Sequence, residues 1–333
     1  MTDRVETIKV KPADAGVRLD RWFRIHFPDV GYSYLQKLLR TGQVRIDSKR
    51  AEGNDRLEAG AQIRVPKIVR NPDKPSVAPS VKAPLGLSKA DRTTIERMIL
   101  FEDDHVIVLN KPFGLAVQGG SGTKRHIDGM LAGMADRFGG ERPRLVHRLD
   151  RDTTGVLLIA KHRDAAAKLG RVFQTRSAAK TYWALVNGVP KPQQGKIEAP
   201  LVKASGPDGD RVRKALPGEQ KEAMHATTHY SVVDRLAHKA SWVSLKPVTG
   251  RQHQLRAHMA LIGNPIVGDN KYGGDENMPA EQMEKKLHLH ARRLVLPHPF
   301  TGGKIDVTAP LPEHMRKTWE LLGLDADRYE DPD

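Results

Sequence analysis

The chain has 333 residues, 38% of them hydrophobic, which exceeds the usual span of one core and leads us to expect two domains. Its 55 Lys and Arg against 40 Asp and Glu leave a net charge of +15, which points to a polyanionic partner, nucleic acid first. The absence of cysteine excludes disulfides, thiolate catalysis and thiolate metal sites; with no apolar run of membrane-spanning length and no secretory signal in residues 1–6, a cytoplasmic protein is expected.

Residues 17–66 read as a small module. Leu19, Trp22, Phe23, Ile25 and His26 fall close to helical spacing, and residues 33–39 give a second helix ending near Gly42. Short strands are expected at 44–46 and 62–65. Residues 1–70 hold 15 Lys or Arg against 9 Asp or Glu, so positive charge is concentrated here. Residues 67–92, with Pro72, Pro75, Pro79 and Pro84 and no apolar period, read as an extended, semi-stiff linker. Residues 93–325 form the larger domain. Strands are expected at 106–109, 156–160, 181–186, 242–246 and 305–308, and helices at 164–174, 251–262 and 314–322. Their irregular order favours α+β over a doubly wound parallel sheet. The acidic tail 325–333 is expected to fray.

Chemistry concentrates in residues 145–155, Leu-Val-His-Arg-Leu-Asp-Arg-Asp-Thr-Thr-Gly, which lead into the apolar run 156–160. Asp150 lies between Arg148 and Arg151, a setting that keeps a carboxylate ionised, and is the first candidate for a catalytic acid residue. Arg and Asp neighbours alone describe a solvated loop equally well. Three further segments change the balance. Residues 101–115 give a strand closed by an Asn-Lys-Pro-x-Gly turn. In residues 180–186, strand alternation sets Thr181, Trp183 and Leu185 on one face and Lys180, Tyr182 and Ala184 on the other. Tyr182 is then either a core tyrosine or, in a chain with 5% aromatic residues, a ring available to a base. Residues 249–259 open a helix whose Arg256 can clamp a carboxylate or phosphate through two parallel bonds, or simply belong to a basic surface face. His253 and His258 are five apart, not the three or four that align metal ligands on one helix face. The glycine-rich residues 119–124 lack the Gly-Lys-Ser/Thr ending of a phosphate-binding loop.

In this order, the segments resemble the RluA family of pseudouridine synthases over nearly the whole chain, specifically its large-subunit ribosomal RNA members. Residues 147–155 match His-Arg-Leu-Asp-x-x-Thr-Ser-Gly, with Thr154 keeping the hydroxyl of the usual Ser. Residues 250–258 match Gly-Arg-x-His-Gln-Leu-Arg-x-His, and 263–269 match Gly-x-Pro-Ile-x-Gly-Asp. The 17–66 module is similar to the S-four-type, or alpha-L, RNA-binding domain and leans the resemblance toward the C-type subgroup.

The resemblance implies a mixed, mainly antiparallel sheet in the catalytic domain, with a small α+β RNA-binding domain tethered by the Pro-rich linker. It implies that Asp150 is the catalytic aspartate, that Tyr182 packs against the target base and that Arg256 pairs with the aspartate. Arg148 and His253 are expected to bind substrate, and Arg18, Arg21, Lys37 and Arg40 to face phosphates. The partner implied is large-subunit ribosomal RNA, met by a monomer with no cofactor and no metal; His288, His290 and His298 fall in a strand region the family uses structurally. Pseudouridine forms when the bond from uracil N1 to the ribose breaks and C5 joins the same carbon. Asp150 is expected to act as nucleophile on the ribose or as base at the neighbouring carbon, and Tyr182 to help remove the C5 proton. Three alternatives stay open: a glycosidase-type hydrolase, with Asp152 nearest as second carboxylate; a non-catalytic RNA-binding assembly factor; and a synthase acting on transfer RNA.

Overall fold

A computed structural model describes residues 5–27, 30–66, 89–119, 123, 125–206, 209–273 and 278–329. The chain divides into two units, Met1–Leu85 and Gly86–Asp333. In the first, β1 (Val5–Lys9), α1 (Leu19–His26), α2 (Tyr32–Arg40), β2 (Arg45–Ile46), β3 (Lys49–Arg50) and β4 (Gln62–Pro66) build a sheet of order β1-β4-β2-β3 beside two helices. Leu19, Trp22 and Phe23 share the buried face of α1 and join Leu35, Leu38 and Leu39 of α2 over Val44, Ile63 and Val65. The sheet starts at Val5, ahead of the expected start at residue 17. β1 is exposed along most of its length, so it carries no alternating pattern to read.

Residues 67–88, most of the expected linker, lie outside the described residues, and a helix already begins at Lys89. The second unit runs α3 (Lys89–Met98), β5 (Ile99–Glu102), β6 (Val106–Lys111), α4 (Ile127–Ala132), β7 (Arg144–Leu145), β8 (Thr154–Ala160) and α5 (Arg163–Gln174). It continues through β9 (Ala179–Asn187), β10 (Gln194–Glu198), β11 (Leu201–Gly206), β12 (Gly209–Lys214), β13 (Thr227–Leu236) and β14 (Ala240–Pro247). It closes with α6 (Gln254–Leu261), β15 (Leu289–Pro297), β16 (Lys304–Thr308) and α7 (Glu313–Leu322). The main sheet has the order β10-β13-β14-β9-β15-β8-β6-β5, with β16 paired to β15 and β7 to β8; β11 and β12 form a separate hairpin. Every pairing is antiparallel except that of β8 with β15. The mixed, mainly antiparallel α+β class is therefore the observed one.

Alternation along β9 divides the core. Ala184 and Val186 pack with Val243, Leu245, Leu255 and Met259, and Tyr182 lies against this cluster. Trp183 and Leu185 face the other way, where Trp183 and Trp242 meet edge-on at 4.6 Å and Trp319 of α7 closes the group. The parallel seam rests on Gly155, opposite Ala291 at a φ of +104°. A Cβ there would stand 2.2 Å from the Ala291 carbonyl oxygen, so only glycine lets the two strands approach.

Candidate active site

The loop between β7 and β8 carries Asp150 and is pinned from several sides. Nε2 of His147 accepts a hydrogen bond from the Leu158 N–H at 2.8 Å. Burial, with Lys180 as a second cause, pushes this imidazole down to about 3, so it is neutral and serves as a fixed acceptor. Nζ of Lys111, at the end of β6, donates to the carbonyls of Pro112, Leu115 and Arg151 at 2.9, 2.9 and 2.7 Å. Burial pushes this ammonium down to about 7. Its three carbonyls ask for three N–H donors, which only the charged form has. Past the loop, the Thr154 hydroxyl lies 2.8 Å from Nδ1 of His290, whose Nε2 faces the Ala309 carbonyl at 3.2 Å. Burial pushes His290 down to about 3, so Nε2 keeps the one proton and Thr154 donates to Nδ1. His288 is likewise engaged at both nitrogens, by the Lys286 carbonyl and the Thr318 hydroxyl. These two rings are hydrogen-bonding struts. His298 pairs with Asp103.

A second loop, from β14 into α6, is stapled by Gln254. Its carbonyl oxygen accepts from the Thr249 hydroxyl at 2.7 Å and the Arg251 N–H at 3.0 Å, and its amide donates to Thr227 and Thr228 of β13. Every bonding position of the buried side chain that the loop needs is thus taken. His253 enters α6 in a left-handed conformation, φ +51°, an uncommon backbone state for a histidine. Arg256 follows in the first turn with only 4% of its side chain exposed.

The guanidinium has an unforeseen principal partner. Nε and Nη2 of Arg256 donate to the two oxygens of Asp269 at 2.7 and 2.6 Å, a bidentate pair with an Asp269 side chain that is 0% exposed. Asp150 stands 4.0 Å from Nη1, so its contact with Arg256 is electrostatic and not a direct hydrogen bond. Burial works against the Arg256 charge, but Asp269 and then Asp150 outweigh it and hold its pKa above the ordinary value. Nε2 of His253 lies 3.9 Å from Asp150, and its Nδ1 lies 3.2 Å from the Tyr272 hydroxyl, which also accepts the Val212 N–H. The Tyr272 ring lies 5.2 Å from the Arg256 guanidinium carbon. Asp269 ends the third sequence motif and Tyr272 follows it by three residues, yet nothing in their spacing shows which way either side chain points.

These two loops and β9 enclose a cleft of about 450 Å³, a size suited to a nucleotide-sized group. Asp150, Arg148, Tyr182, His253 and Arg256 all line it. Among its lining residues Asp150 is the one carboxylate, facing the cations Arg148, Arg176, Lys180, Arg251 and Arg256. Burial first, then the Asp150 charge, pushes the Tyr182 phenol well up, so it is a neutral ring at ordinary pH. Arg151 pairs with Asp152 on the outer side of the loop, and neither lines the cleft. In the first unit Arg18, Arg21, Lys37 and Arg40 are all exposed. Arg18 and Arg40 meet with Arg50 around a depression of about 600 Å³, which Arg21 and Lys37 do not line; Arg18 also pairs with Asp20.

Comparison with known proteins follows the same lines. The sequence model of the RNA pseudouridylate synthase family matches residues 105–261. The ribosomal large subunit pseudouridine synthase C of Escherichia coli (strain K12) is 35% identical over 96% of this chain and 98% of its own. The mitochondrial RNA pseudouridine synthase 4 of Arabidopsis thaliana is 35% identical over 91% of this chain and 78% of its own. Human RNA Pseudouridylate Synthase Domain Containing 4, a solved structure, superposes with a TM-score of 0.57 at 30% identity, covering 72% of this chain and 97% of that one. A likeness that runs nearly end to end in both sequences, over a fold of the same type, decides the assignment: the chain belongs to the RNA pseudouridylate synthase family.

Proposed function

We propose that the protein isomerises specific uridines of large-subunit ribosomal RNA to pseudouridine, as a cytoplasmic monomer without a cofactor. The likeness to the bacterial large-subunit synthases supports the substrate class. The observation that carries the chemistry is the single carboxylate of a cation-lined cleft, Asp150, set opposite a neutral aromatic ring. A stacked uridine hides its glycosidic bond, so the nucleotide swings out of the RNA into the cleft. Arg148, exposed at the cleft, and His253 help hold it. Asp150 then attacks the ribose or takes a proton from the neighbouring carbon; Arg256, oriented by Asp269, sets its positive charge 4.0 Å from the carboxylate through Nη1. The bond from N1 to the sugar carbon breaks, the freed uracil turns against the Tyr182 ring, and C5 bonds to that carbon as the Asp150 ester breaks or the removed sugar proton is given back; the C5 proton then passes to water. The raised phenol favours packing on the base over removal of the C5 proton as the part Tyr182 plays. The first unit, with Arg18, Arg40 and Arg50 around one depression, adds an RNA-binding module.

Hydrolysis at the same sugar carbon is disfavoured by the site. It calls for a second carboxylate to activate water, and Asp152 is tied to Arg151 outside the cleft. The test uses ribosomal RNA labelled with tritium at uridine C5. The parent protein should release tritium to water without releasing free uracil. Asp150→Asn should lower that rate by more than about a thousandfold while RNA affinity changes little. Full activity in this variant would overturn the assignment of Asp150.

A further inference from the structure

A second cavity, of about 350 Å³, adjoins the catalytic cleft and shares Arg176, Lys180, Pro247 and Val248 with it. Its remaining lining comes from the end of the main sheet, including Thr181 of β9, Lys246 of β14, Arg293 of β15 and Lys304 of β16. Thr181 lies on the face of β9 opposite Tyr182, and Arg293 is paired with Thr181 across the strands. The cavity therefore sits on the reverse side of the sheet from the catalytic ring, reached around the strand ends.

Its lining includes five cations and no carboxylate. Asp306, just behind, binds Arg293 through both oxygens and Lys304 through one. At the junction with the cleft the balance is different: among the described residues, neither the Arg176 nor the Lys180 side chain makes a hydrogen bond or ion pair. Lys180 is half-buried, and burial alone lowers its pKa, so its ammonium stands partly out of water without a counter-charge. Arg176 holds a left-handed backbone, φ +59°, where a glycine would sit without strain. Both features make sense for cations placed to meet an anion that comes and goes.

We propose that this basic groove seats the phosphodiester backbone of the RNA strand flanking the flipped uridine, with Arg176 and Lys180 at the crossing and Lys246 and Lys304 beyond it. The inference rests on the reading of the cleft as the uridine site and adds the route by which the strand leaves it. No Phe, Tyr or Trp lines the groove, whose one aromatic ring is the exposed imidazole of His229. The groove grips phosphates and ribose over Pro247, Val248 and Val295, which raises affinity without reading sequence.

The test uses the full chain and a large-subunit ribosomal RNA transcript. Binding is measured across salt concentrations for the parent, for Lys246→Gln/Lys304→Gln, whose side chains line the groove and not the cleft, and for the charge-keeping Lys246→Arg/Lys304→Arg. Two lost contacts to a single strand should flatten the slope of log affinity against log salt by about 1.4. KM should rise while kcat at saturating RNA stays unchanged, and the charge-keeping pair should restore the parent slope. A slope that does not move, a loss confined to kcat, or an equal loss in the charge-keeping pair would each overturn the groove. The slope reads the groove whether or not this RNA is isomerised. Tritium release by the parent on the same transcript reads the substrate assignment separately.

Discussion

Replacing Asp269 with Asn probes the part of the site that the sequence left unread. The variant keeps the shape of the side chain, removes its charge and turns one N–H of Arg256 toward an N–H of the new amide. Two bonds of 2.7 and 2.6 Å are affected, both between groups almost fully out of water. Hydrogen bonds to charged groups contribute about 1.5–3 kcal/mol each, and breaking one side of a buried pair costs about 3–5 kcal/mol. The two routes agree on a loss of about 3–5 kcal/mol. Urea unfolding followed by the fluorescence of Trp183, Trp242 and Trp319 should show the midpoint falling by more than about 1 M, given slopes of about 1–3 kcal/mol per M. The companion variant Arg256→Met/Asp269→Leu should recover most of that stability, because a buried pair exchanged for apolar groups is near neutral, while isomerisation stays lost. A loss below about 1 kcal/mol in Asp269→Asn would refute the claim that this pair is the clamp positioning Arg256.

Two other expectations follow from the loop and from the ring. The folded chain binds the Lys111 proton less tightly than the unfolded chain, whose lysine titrates near 10.5. Between about pH 7 and 10.5 unfolding therefore takes up a proton, and stability rises with pH by up to about 1.4 kcal/mol per unit. Lys111→Met should remove that rise, so the stability gap between parent and variant should change between pH 7 and pH 9; a constant gap contradicts the assignment. For Tyr182, Phe should keep activity within about tenfold of the parent and Ala should lose far more, measured as tritium release. A Phe variant slower by the 10²–10⁴ typical of a lost general base would instead give the phenol a role in proton transfer.

Strands were legible as short apolar runs where both faces are core, as in β6, β8 and β14. The pattern of residues 181–186 foretold which side Tyr182 would take, because Trp183 and Leu185 had to face a different core. β13, ten residues from Thr227 to Leu236, went unread because its second half mixes half-buried and exposed positions with a bulge near Val232. The β11–β12 hairpin and helix α3 lack a sustained apolar period for the same kind of reason: each presents one short buried edge. At the site, type and setting singled out Asp150 and left Tyr182 and Arg256 each with a structural alternative; the family resemblance named all three, and the structure brings all three to one cleft. The choice Arg256 makes between two carboxylates was not legible. It depends on Asp269 being sealed inside while Asp150 keeps 18% of its side chain exposed, a difference set by tertiary packing alone.

The parallel seam between β8 and β15 also sets the order in which a growing polypeptide can become an enzyme. Thr154 and His290, which lock the start of β8, are 136 residues apart, and the Gly155–Ala291 register forms beside them. Closing so long a loop is entropically expensive until β15 has emerged from the ribosome and docked. A nascent chain truncated before Leu289 can contain Asp150, Tyr182 and Arg256 and still lack the anchor that aims the first of them. Competence to modify RNA thus waits until β15 has been made, long after the Asp150 loop itself.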